Sequence, residues 1–268
     1  MFALMFAANI REENMKNHFK LLSAVAALAF AGQVSAATTY TTWTVGQSAS
    51  VVAGNNSAVT STSTGWADTG AGTPRVIEQQ TVISYPGLGI KNLDACGTAP
   101  CDIAELDPPE HALDNNERYE MVMLKFSTAV QLSKMQMSWA GGADSDMTVM
   151  AYTGGGTPAS LAGKTWTTGS LAGWSVIGNY ADVGTSLTTI NAGKTFSSYW
   201  LIGAYNPLGG SAVFSDQNDY VKLASVTGCV QGTTDCNLPG GKVPEPGSMA
   251  LLGIGLLGLM RMRELRQI

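Results

Sequence analysis

The sequence predicts an all-β ectodomain, a jelly-roll-like β-sandwich, set between an N-terminal signal peptide and a short C-terminal transmembrane helix. Three observations predict the β class. Successive short segments alternate apolar and polar residues with period two. Gly- and Pro-rich turns separate them. Between the two ends no window longer than about ten residues holds a helical 3.6 period, so parallel pairing through crossover helices has no material to use.

Taken in chain order, residues 1–14 read as an extension ahead of a start at Met15. Met15–Lys20 is a short basic region, Leu21–Phe30 an apolar run, and Val34-Ser35-Ala36 ends in small side chains. That order predicts a signal peptide over residues 15–36, cut after Ala36, with Val34 and Ala36 as the residues read by signal peptidase at the Sec translocon. The apolar run is about half the ~20 residues that span a bilayer.

The ectodomain is then Ala37–Lys242, about 200 residues, enough for one β-sandwich with a core. Thr38–Gly72, rich in Ser, Thr, Ala and Gly, reads as an edge-strand region or a flexible leader. Val122, Leu124 and Phe126 share a face of one strand, Tyr119–Phe126; Met135, Met137 and Trp139 share a face of the next. Asp146–Tyr152 continues the alternation, Ser198–Tyr205 reads as a central strand buried on both faces, and Val221-Lys222-Leu223 closes the series. Ala162-Gly163-Lys164-Thr165-Trp166 is echoed by Ala192-Gly193-Lys194-Thr195-Phe196. The echo reads as two similar hairpin turns, because the earlier glycine and the strand–helix context of a phosphate-binding loop are missing.

Ala37–Lys242 carries 9 Lys or Arg against 16 Asp or Glu, a net charge of −7. An acidic surface repels phosphate backbones, which argues against nucleic acid and favours cations or neutral glycans. The four cysteines form two close pairs, Cys96 with Cys101 and Cys229 with Cys236. In an oxidising compartment they predict two local disulfides; their separation and spacing do not suit a shared zinc.

Oxygen-bearing side chains gather around the middle of the chain: Asp107, Glu110, Asp114, Asn115, Glu117, then Asp144 and Asp146. Calcium takes six to eight such oxygens, so Asp114, Asn115, Glu117, Asp144 and Asp146 are the candidate ligands of a structural calcium ion. The competing reading is loop caps and solvated acids. No catalytic residue is assigned. His111 is the one histidine of the ectodomain and no Gly-x-Ser-x-Gly elbow accompanies it. Carboxylates such as Glu110 and Glu117 satisfy the loose requirement of glycosidase chemistry. Trp139, Trp166, Trp174 and Trp200, with Tyr152, Tyr180, Tyr199 and Tyr205, form a sugar-stacking platform if some share an exposed face; strand positions favour core packing.

At the C-terminus Val243-Pro244-Glu245-Pro246 precedes the apolar stretch Met249–Met260, followed by Arg261, Arg263 and Arg266. The prolines hold an extended, accessible segment, the stretch spans a bilayer only marginally, and the arginines stay cytoplasmic. This arrangement over residues 243–268 resembles the PEP-CTERM sorting domain of Gram-negative bacteria. The resemblance implies processing by an exosortase near Val243–Pro246, a transient inner-membrane span, and delivery to the cell surface or extracellular matrix. Gly87-Leu88-Gly89, Pro109-Glu110-His111-Ala112-Leu113-Asp114-Asn115 and Asp144-Ser145-Asp146 are similar to a group of exosortase-dependent surface proteins, which supports location more than mechanism.

The expected function is that of an exported, exosortase-processed, non-catalytic surface protein associated with extracellular polysaccharide or biofilm. Two alternatives stand beside it: a secreted hydrolase of exopolysaccharide, and a calcium-stabilised adhesion module.

Overall fold

A computed structural model describes residues 40–47, 51–84, 86–92, 111–141, 144–233 and 236. The expected signal peptide with Val34 and Ala36, Cys96 and Cys101, Asp107, Glu110, the Val243–Pro246 segment and Arg261, Arg263 and Arg266 lie outside the described residues. Within them the chain is all-β. The strands are β1 (Thr41–Trp43), β2 (Val52–Gly54), β3 (Ser57–Gly70), β4 (Val76–Ile83), β5 (Gly89–Lys91), β6 (Leu113–Asp114), β7 (Glu120–Gly141), β8 (Met147–Tyr152), β9 (Trp174–Tyr180), β10 (Thr188–Thr189), β11 (Ser197–Ala204) and β12 (Tyr220–Val230).

Hydrogen bonds run β5-β4-β3-β7-β11-β8-β9 along one open path, and β12 joins β7 to β1 and β6. The organiser is β7. Its first part, Glu120–Phe126, pairs with β3, and Met121–Lys125 pairs with β11; its second part, Val130–Gly141, pairs with β12. One strand therefore feeds two arms of sheet. Residues from both arms, Val122, Leu124 and Phe126 with Leu132, Met135, Val221 and Leu223, share one core with Trp43 and Trp200. A second, smaller core lies on the other face, where Leu161, Trp166 and Leu171 cover Met121, Met150 and Leu201.

Two sequence expectations change here. The segments around Phe126 and Met135 are one strand, because the intervening Ser127–Lys134 holds no Gly, Pro, Asn or Asp to make a hairpin. Alternation survives its length only through bulges. Gly228 pairs with Leu132 and Thr227 with Lys134, so Ser133 is the extra residue that moves the core face from even to odd positions. A second shift beyond Met137 turns Trp139 off the core and under the Lys222 ammonium, 5.8 Å from the ring centroid. The second change concerns Thr38–Gly72. It is no leader: β3 lies in the interior of the sheet, between β4 and β7.

Most of Ser198–Tyr205 does form a central strand, β11, between β7 and β8; Tyr205 follows its end, and Ser198 and Tyr199 are only half-buried. Gly203 is where β11 passes closest to β7; a Cβ there would lie 2.1 Å from the Glu120 carbonyl oxygen. Backbone cannot yield as a side-chain tip does, so Gly203→Ala should destabilise the protein by about 3 kcal/mol, read from urea unfolding. A loss below half that would show that the two strands can part locally.

The two echoed segments are matching turns, closed by Lys164 N–H to the Leu161 carbonyl at 3.0 Å and Lys194 N–H to the Asn191 carbonyl at 2.9 Å. Of the two disulfides the sequence predicts, one falls within the described residues. The Cys229–Cys236 disulfide joins the end of β12 to the turn that follows it, with Cα atoms 5.4 Å apart. The other, joining Cys96 and Cys101, rests on residues outside those described and stays an expectation of the sequence.

Candidate functional site

The short ladder between β6 and β12 places Asp114 opposite Tyr220, which sets Asn115 beside Asp219. Tyr220 also faces Gly141 at the end of β7, bringing the 144–146 segment to the same corner. Asp144, Asp146 and Asp219 meet there, each offering a carboxylate oxygen within 4.8 Å of the others. Asp219 is wholly buried and Asp146 nearly so.

Neighbouring groups hold these carboxylates in place. Asp219 accepts the Asp146 N–H at 2.6 Å and the Asn115 side-chain amide at 2.7 Å, while its own N–H donates to Asn115 Oδ1 at 2.9 Å. Asp146 accepts the Asp182 N–H at 2.8 Å. Asp144 accepts the Ser215 hydroxyl, the Asn218 amide and the Ser145 N–H.

Burial, helped by the charges of Asp144 and Asp146, pushes Asp219 up to about 7. Burial likewise raises Asp146. The Ser215 hydroxyl holds Asp144 below the ordinary carboxylate range. Three like-charged oxygens in so small a space are stable with a shared proton or with a cation, and hard oxygens of this kind suit calcium.

Of the residues singled out in the sequence, Asp144 and Asp146 belong to this cluster, and Asn115 supports it through Asp219. Asp114 and Glu117 are placed elsewhere. The Asp114 carboxylate accepts the Asn116 N–H at 3.0 Å, and Glu117 is exposed, its carbonyl accepting Arg118. Asp219 was missed by sequence reasoning. Its signal was legible in Ser215-Asp216-Gln217-Asn218-Asp219, an oxygen-rich run just before the last strand.

A cleft of about 360 Å³ lies close by, lined by Asp68, Arg75, Tyr119, Trp166 and Asp216 among others. Asp68 accepts the Tyr119 N–H and Asp216 the Tyr119 hydroxyl, each at 2.8 Å. Burial pushes Asp68 up to about 6, and raises Tyr119 as well. His111 stands apart at β5, its carbonyl oxygen pressed against Gly89.

The aromatic residues divide. Trp166, Trp200 and Tyr205 are core. Tyr152, Trp174 and Tyr199 are half-buried and in mutual contact, with Tyr152 centred 5.6 Å from Trp174 and 6.3 Å from Tyr199.

Comparison with known proteins bears on the tail. A family model, the PEP-CTERM protein-sorting motif, matches residues 242–264. No curated protein and no solved structure matches the chain significantly.

Proposed function

We propose that this chain, which carries the sorting motif of exosortase-processed exported proteins, is a polysaccharide-associated component of the cell surface or extracellular matrix of a Gram-negative bacterium. Its jelly-roll-like ectodomain binds and does not catalyse. The motif at residues 242–264 carries the reading: it marks the chain for export, membrane-anchored processing by an exosortase, and surface display. The acidic ectodomain suits neutral glycans better than phosphate polymers. Entry is through the Sec translocon, with signal peptidase cutting after Ala36.

The test replaces the handle, P244A/E245A, in a chain tagged at its C-terminus. The wild type should lose the tag and become accessible to protease added outside the cell. The variant should keep the tag and stay in the inner membrane. Equal processing of both would overturn the reading.

A second reading, the calcium-stabilised adhesion module, is favoured by the carboxylates of Asp144, Asp146 and Asp219. In it those three are the ligands and Asn115 holds Asp219 in position. Purified protein that shortened an exopolysaccharide would instead overturn the non-catalytic part and direct attention to Asp68 and Asp216.

A further inference from the structure

We infer that the polysaccharide seats on the outer face of the sheet, on a row formed by Lys125, Tyr199, Tyr152 and Trp174, and that it is a neutral pyranose polymer. This rests on the polysaccharide reading above and gives it a place and a chemistry.

The row follows from register. Lys125 is the ladder partner of Tyr199, and Tyr152 of Trp174. Trp200 pairs with Ala151, which sets Tyr199 beside Tyr152. Four consecutive strands, β7, β11, β8 and β9, thus contribute one side chain each to a line across the sheet. Their neighbours Leu124, Trp200 and Ala151 point to the opposite face, into the main core. One step along the same outer face, Leu201 and Met150 lie under Leu161, Trp166 and Leu171. Trp174 packs against the edge of that cover, and the rings of the row are half-buried where Leu201 and Met150 are sealed.

The central ring is clamped. A Cβ on Gly154 would meet the Tyr152 hydroxyl at 2.7 Å, and one on Gly173 would meet its ring at 2.5 Å. A Cβ at either position would displace the Tyr152 ring, and Gly173 also has a φ of +82°, which favours glycine. Tyr152 donates its hydroxyl to the Gly155 carbonyl at 3.2 Å. Held so, it stands edge-on between Trp174 and Tyr199, at interplanar angles of 63° and 86°. These contacts hold Tyr152 in place before any ligand arrives, which lowers the ordering cost of binding.

The chemistry of the recess selects the ligand. A concavity of about 220 Å³ is lined by Tyr152, Tyr199 and Phe196, by Thr153 and Ser198, and by glycine backbone. None of its lining residues is charged. Aromatic faces attract the C–H-rich faces of pyranose rings, and the hydroxyls and backbone groups at the rim answer sugar hydroxyls. Lys125, whose ammonium lies 5.9 Å from the Tyr199 ring centroid, closes one end. Four strands at ~4.8 Å spacing span about 14 Å, room for two or three sugar rings.

The experiment is affinity electrophoresis of the purified full chain through gels holding hydroxyethylcellulose, dextran or alginate. Retardation by one of the two neutral polymers is expected, with alginate weaker. Trp174→Ala and Tyr199→Ala should each weaken it about tenfold, and Tyr199→Phe should restore it. Trp139→Ala, on another part of the sheet, should leave retardation unchanged. No retardation by either neutral polymer, retardation by alginate alone, or full retention in the Trp174→Ala/Tyr199→Ala double variant would overturn the inference. Should those variants not fold, hydroxyl-radical footprinting of the wild type with polymer decides. Protection of Tyr152, Tyr199 and Trp174 supports the site, and unchanged reactivity overturns it. Polymer binding without surface delivery defeats the export reading and leaves the site standing; delivery without binding does the reverse.

Discussion

Calcium at about a hundred times its dissociation constant should raise the melting midpoint of this protein by about 5–10 °C. A ligand bound only by the folded state at that excess stabilises it by about 2.7 kcal/mol. A domain of this size shifts about 2–4 °C per kcal/mol. Asp146→Ala removes one of the three carboxylates and should abolish the calcium response. Identical midpoints in calcium and in EDTA would sink the calcium reading.

The metal-free protein should also show a pH signature of definite sign. Burial raises Asp219 from 3.8 to about 7 in the folded chain. Asp68 is raised from 3.8 to about 6 for the same reason. Between these limits the folded chain keeps protons that the unfolded chain has already lost. Their contribution to stability is therefore whole below about pH 4 and lost as pH rises through about 7. In EDTA the midpoint should fall over that window. In calcium the fall should shrink, because the cation takes the place of the proton at Asp219 while Asp68 still titrates. A midpoint in EDTA that rises from pH 4 to 7 would mean other groups dominate.

Trp43→Ala should cost about 4–8 kcal/mol. Trp43 is fully buried, packs on Phe126 with ring centroids 4.9 Å apart, and donates its indole N–H to the Val59 carbonyl at 2.8 Å. Removing a buried tryptophan costs about 3–5 kcal/mol, and leaving a buried carbonyl unanswered adds about 1–3 kcal/mol. Against a typical total of about 5–15 kcal/mol, much of the fold's margin is gone. Trp43→Phe keeps most of the packing and loses the hydrogen bond, so it should cost about half as much. Urea unfolding checks both. Equal losses would mean that ring volume contributes little and the hydrogen bond carries the effect.

How much of this could be read from residues alone depended on whether a signal was local. The strands β8, β11 and β12 were legible because alternation and β-branched or aromatic residues mark them. The Cys229–Cys236 disulfide was legible for the same reason, since its two thiols stand close in sequence. Alternation alone divides the long strand β7 into one segment around Phe126 and another around Met135, although no turn-forming residue stands between them. Its bulges at Ser133 and beyond Met137 depend on the partner strand, which a single segment does not reveal. Thr38–Gly72 misled because Ser and Thr suit both loops and sheet interiors; pairing on both sides decided the matter. Asp144 and Asp146 were found by their own sequence. Asp219 needed the ladder that carries β12 to the same corner.

Late arrival is the feature of β12 with the widest consequence. It completes the pairing of β1, of β6 and of the far half of β7, yet among the described residues it is the last strand in chain order, and eleven residues, 231–241, separate it from the sorting motif. The ladders that β1, β6 and the far half of β7 make with it therefore wait until β12 has emerged. Such long-range closure is slow. A tail that pauses in the bilayer would give the keystone time to drop into place before the finished molecule is released.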